Sequence, residues 1–78
     1  MSKLNFLYCV RIAELYDDNI STTLCAQAYS MRMAKQLAKS YPKANIITKE
    51  NFTGEILEDY DTTGKLIENI EEYLNHVI

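Results

Sequence analysis

Residue types that usually announce a function are scarce in this chain. It has one Pro, one His, two Gly and two Cys among 78 residues. With so few Gly and Pro there is no linker composition, low-complexity run or internal repeat. Cys9 and Cys25 are too few for a disulfide framework or a zinc site, and they read as free thiols behaving as small hydrophobes. The single imidazole, His76, lies near the C-terminus, four residues after Glu72 on a helical pattern. It suits a surface pair there better than a general base, which needs an ordered cleft. No apolar run approaches the roughly 20 residues that span a bilayer. The short apolar stretch Leu4–Val10 is interrupted by Arg11 and followed by no cleavage pattern, so a cytoplasmic protein without membrane association is expected. The Asn19-Ile-Ser21 and Asn51-Phe-Thr53 glycosylation patterns then read as chance matches at turns.

What is present is a globular balance, 47% hydrophobic and 24% charged residues, which suits a folded domain. Opening on Met1, the chain reads as one domain over residues 1–78 and as a complete reading frame. A domain this small buries only about 60% of its unfolded surface, so its core is thin. Net charge is −3, unevenly spread. Residues 1–49 hold seven of the eight basic side chains against three acidic ones; residues 50–78 hold Lys65 against eight carboxylates. That asymmetry is the main functional clue.

The clearest periodic stretch is Ser30–Tyr41, closed by Pro42. Ala34, Leu37, Ala38 and Tyr41 recur at helical spacing, while Arg32, Lys35 and Lys39 fall within roughly 60° of arc on the other side. Ser30 suits the N-cap, and Pro42 stops the helix. Upstream, Leu4–Tyr16 alternates as a long strand, and Asp17-Asp18-Asn19 marks a turn. Residues 21–29 fit strand or helix. The strand is favoured because Leu24, Cys25 and Ala28, continued at 100° per residue, drift off the apolar face of the central helix. With a three-residue turn, Cys9 would oppose Tyr29 and Cys25 would oppose Ala13, too far apart for a disulfide. Residues 44–49 and 55–60 read as two strands around an Asn51–Gly54 turn, the second suited to a sheet edge by its acidic residues. A last helix is expected from Asp61, Thr62 or Thr63 as cap, with Leu66, Ile67, Ile70, Tyr73, Leu74, Val77 and Ile78 as its stripe. The order is β-β-α-β-β-α, an α+β fold with helices on an antiparallel sheet; the alternative is β-α-β-β-α.

Neighbouring carboxylates such as Glu58/Asp59 point to opposite faces of a strand and do not converge on a metal. Thr62-Thr63-Gly64-Lys65 lacks the spacing of a phosphate loop and reads as a helix start. No cofactor or metal is expected. Six tyrosines suit core edges, with one or two as contact anchors. The expectation is therefore a non-catalytic protein-interaction module that meets a partner's basic surface through Glu55, Glu58, Asp59, Asp61, Glu68 and Glu72, or through an exposed sheet edge. In size and make-up the chain resembles the small stand-alone proteins with which phages and mobile elements block host or defence complexes that handle nucleic acid. The alternative is a nucleic-acid-binding regulator using Arg32, Lys35, Lys39 and Lys43. Self-association into a homodimer through the opposite charges of its halves is a further expectation.

Overall fold

The structure, a computed structural model, describes residues 5–17 and 19–77. Leu4, Asp18, Ile78 and the Val77 side chain, which belong to expected elements, lie outside the described residues. The elements run β1 (Phe6–Tyr16), β2 (Asn19–Ala28), α1 (Met31–Ala38), β3 (Asn45–Glu50), β4 (Ile56–Tyr60), β5 (Leu66–Ile67) and α2 (Ile70–Val77). The strands form one sheet in the order β2-β1-β3-β4-β5, with every neighbouring pair antiparallel. This is the α+β class expected from the pattern, with residues 21–28 as strand and one strand more than expected.

The long central strand β1 organises the rest. Its side chains alternate, so Tyr8, Val10 and Ile12 face one layer and Cys9, Arg11 and Ala13 the other. Beneath the first face lies α1. Ser30 caps that helix with its hydroxyl, which accepts a hydrogen bond from the Met33 N–H at 3.2 Å. Ala34 and Ala38 are the buried residues of α1, and their small size lets the backbone come close to the sheet. They join Val10, Ala28, Ala44 and Ile46 in a core ringed by Tyr8, Ile12, Met31, Tyr41 and Tyr60. On the second face Cys9 and Ile47 are fully buried, α2 is the helix that reaches β1, and Leu74 is buried on it.

Two details depart from expectation. The β1–β2 turn is a residue tighter than assumed: Tyr16 opposes Asn19, so Cys9 meets Gln27 rather than Tyr29. Register then shifts opposite Val10/Arg11, which leaves Cys25 as an extra residue that packs with Ala26 toward the α1 core. The two thiols, both free, therefore lie on opposite faces. The second departure is at the last helix. Leu66 and Ile67 pair with Tyr60 and Asp59 as β5, because Asp61 closes a hairpin rather than starting a helix. Its Oδ1 accepts from the Thr63 N–H at 2.9 Å, the Thr63 hydroxyl at 2.5 Å and the Lys65 N–H at 3.0 Å. Gly64 completes the reversal at φ 92°, a conformation that glycine adopts without steric cost. The cap of α2 is Asn69, whose Oδ1 accepts from the Glu72 N–H at 3.1 Å.

Candidate interaction surfaces

The basic stripe forms one flank of α1. Arg32, Lys35 and Lys39 line an open hollow of about 580 Å³ with Gln36, Tyr41 and, from the β4–β5 turn, Thr62 and Thr63. A Cβ placed on Gly64 would lie 3.3 Å from Lys35 Cδ, which shows how closely that turn approaches the helix. Lys43 is exposed in the loop beyond α1 and does not line this hollow.

The six predicted acidic residues are not one surface. Asp59 faces inward and pairs with buried Arg11. The Arg11 Nε also donates to Asn45 Oδ1 at 3.0 Å and Nη1 to the Thr22 hydroxyl at 3.2 Å. Asn45 in turn donates its amide to the carbonyls of Ile46 at 3.1 Å and Tyr60 at 3.2 Å. Burial pulls the Arg11 guanidinium below its ordinary value, while Asp59 works the other way. This network bolts β2, β1, β3 and β4 together on the face away from α1. Glu58 lies on β4, where its Oε1 accepts the Tyr60 hydroxyl at 3.0 Å. Glu55 sits exposed in the turn before β4.

Asp61, Glu68 and Glu72 do come together. With Lys65, Leu66, Tyr73 and His76 they rim a second open hollow, of about 420 Å³. Burial by itself would raise the Asp61 carboxyl. The Thr63 hydroxyl and the N–H groups of Lys65, Thr63 and Gly64 outweigh it and hold the group below its usual value. Burial, then the Asp61 charge, raises the Tyr73 phenol. His76 is anchored to its own helix, its Nδ1–H donating to the Glu72 carbonyl at 2.8 Å. Glu50 is also engaged locally. Its carboxylate caps the β3–β4 turn by accepting from the N–H groups of Phe52 and Thr53 and the Thr53 hydroxyl, and the Thr53 contacts foremost lower its affinity for a proton.

Two exposed features escape a reading by charge. Phe52, at the tip of the β3–β4 turn, is 89% exposed. The other is β2, an edge strand of ten residues without a charge or a proline. Residues 19–31 are the longest uncharged stretch in the chain, and that stretch was the available signal. The opposite edge differs: β5 has two residues, is flanked by Lys65 and Glu68, and follows the acidic β4.

Fold and surfaces together define a small α+β domain with one basic helix flank, one acidic corner and one uncharged sheet edge. Comparison with protein-family profiles, curated proteins and solved structures yields no match. No helix among the described residues is long and apolar enough to cross a membrane.

Proposed function

We propose that this protein is a non-catalytic protein-interaction module that docks its α2–β5 corner on a basic partner surface. The observation that carries this reading is the grouping of Asp61, Glu68 and Glu72 with exposed Leu66 and half-buried Tyr73 around one open hollow. An inserted Lys or Arg side chain would meet carboxylates at its charged end and the Tyr73 and Leu66 surfaces along its stem. Long-range attraction by the acidic C-terminal half would speed the encounter and select against acidic partners. A nucleic-acid-handling host or defence complex presents such a basic surface, and the size and make-up of the chain suit an inhibitor carried by a phage or mobile element. Glu55, in the turn before β4, and Glu58, on β4, widen the acidic field without joining this corner. The test is affinity capture from lysate with the wild type and with a Glu68→Lys/Glu72→Lys variant, each with and without nuclease. Nuclease-resistant partners captured only by the wild type are the expected result. Partners retained equally by the variant would overturn the assignment of the corner.

A second reading rests on the basic hollow. Arg32, Lys35 and Lys39 line it beside Thr62 and Thr63, and the three cations suit phosphate oxygens, while the Thr63 hydroxyl is already given to Asp61. It predicts partners lost on nuclease treatment. It also predicts DNA or RNA affinity that falls steeply with salt, by a log–log slope of about 0.7 to 0.9 per neutralised phosphate. Reversing the three cations to Glu would abolish that affinity and leave capture through the acidic corner intact.

A further inference from the structure

The β2 edge is where the fold is least protected. An edge strand offers a row of unpaired N–H and C=O groups, and proteins usually shield it with charge, proline or brevity. Here β2 has none of these: ten residues, Asn-Ile-Ser-Thr-Thr-Leu-Cys-Ala-Gln-Ala, with one irregularity at Cys25. Leu24 is 41% exposed and Tyr29, just past the strand, 69%. The helix beside it is lopsided in the same sense. Met33 and Leu37 sit roughly 160° around α1 from Lys35 at 3.6 residues per turn. Because Lys35 lines one hollow with Thr62 and Thr63 of the β4–β5 turn, at the far end of the sheet order, Met33 and Leu37 occupy the flank turned toward β2. They are 50% and 37% exposed. The flank toward β5 is basic and the flank toward β2 is apolar.

We propose that β2 pairs with β2 of a second copy of this chain, antiparallel about a two-fold axis through Thr22, making one continuous ten-stranded sheet. The register follows from symmetry. A two-fold perpendicular to the sheet keeps each side chain on its own face, so only residues of the same face can oppose one another, and the axis must pass through a residue rather than between two. In the regular part of the strand before Cys25, centring on Thr22 opposes Ile20 with Leu24 of the second copy, twice by symmetry. It also opposes Ser21 with Thr23, whose hydroxyls can bond across the junction. Centring on Thr23 would set Leu24 against the hydroxyl of Thr22 instead. The Thr22 register also carries the acidic β1–β2 turn, at Asp17, toward the exit of β2 in the other copy, where Arg32 opens α1. Both copies' α1 helices then lie on one face of the joined sheet, with their Met33–Leu37 flanks turned to each other. A junction of about five residues per strand is short against the roughly 1,600 Å² of a standard interface, so the dimer is concentration-dependent.

Sedimentation velocity from micromolar to near-millimolar protein is the first measurement, and a shift from monomer to dimer is expected. A Ser21→Lys/Thr23→Lys variant sets lysine against lysine across the junction. Both positions are exposed, so its circular dichroism stays that of the wild type while the dimer is lost. In a Cys25→Ser background, Thr22→Cys should form an intermolecular disulfide under mild oxidation, whereas Thr23→Cys should not. A wild type monomeric throughout, or a dimer that survives the double lysine variant, would overturn the proposal. Cross-linking through position 23 instead of 22 would overturn the register. None of these outcomes depends on whether the acidic corner binds another protein.

Discussion

The two faces of the sheet are both dry at their centre, yet they are built from different chemistry. Toward α1 the contacts are apolar: Val10 and Ile46 under Ala34 and Ala38, with tyrosines at the rim. Away from α1, the same strands bury Cys9 and Ile47 alongside an ion pair and an asparagine. An apolar face gains from area removed from water and tolerates small shifts. A buried ionic network gains little over an apolar core of the same shape but punishes the loss of any one member. Among the described residues no buried side-chain nitrogen or oxygen lacks a partner, so the second face meets that condition in full. The first face thus supplies cohesion, and the second holds β4 and β2 in register with β1 and β3.

Neighbouring residues of β3 offer the sharpest comparison, since Ile46 and Ile47 point to opposite faces and neither is exposed. Ile46→Ala is expected to cost about 4 kcal/mol and Ile47→Ala about 2 to 3, within the range for large-to-small core changes. α2 packs chiefly on β1 and can settle into the second cavity, whereas α1 is held against β1, β2 and β3 together. Equal losses in chemical denaturation would break the contrast. Next in size, Asp59→Asn leaves the Arg11 guanidinium buried without its counter-charge and should cost about 3 kcal/mol. The double change Arg11→Met/Asp59→Leu should return to within about 1 kcal/mol of the wild type, because it removes both charges together. If the double variant is as unstable as the single one, the network contributes stability rather than register.

Smaller effects separate the two glycine turns. Gly64→Ala is expected to lose more than about 1 kcal/mol, since φ is 92° and the new Cβ would crowd Lys35 and Met31. Gly54→Ala, at φ 74° with open space around it, should lose less. Parallel thermal melts would show whether the difference is present. The smallest effect concerns acid. The folded Asp61 carboxyl lies below its ordinary value, so its contribution is complete above the unfolded pKa and fades as pH falls through the folded one. Asp61→Asn should therefore lower stability slightly at neutral pH, with the gap to the wild type closing as pH falls, so that the acid limb of its stability–pH curve is flatter.

Much of this was legible because local chemistry agreed with the final fold. Ser30 and the Ala34–Ala38 spacing mark the start and inner face of α1, although the helix ends at Ala38, short of the stretch to Tyr41 that Pro42 closes. The β1 alternation is similarly plain. The last helix misled because Leu66 and Ile67 fit a helical stripe as well as a strand, and Asp61 suits a helix cap and a hairpin equally. Tertiary pairing of β5 with β4 decided between them. The acidic surface was overdrawn for a related reason: counting carboxylates cannot tell that Asp59 faces Arg11, 48 positions away in sequence. Nor does composition say which strand is an edge, and the uncharged run 19–31 matters only once β2 lies at the end of the sheet.

By itself the sequence determined how charge divides between its halves and, outside the Asp61–Ile67 hairpin, where the chain turns and which segments extend or coil. Each of these depends on residues within a few positions of one another, through backbone preference, capping and periodicity. The tertiary structure alone decided which carboxylates remain on the surface, which strand stays open and which thiol faces which layer. Those outcomes depend on register, and a shift of one residue moves every side chain of a strand to the other face.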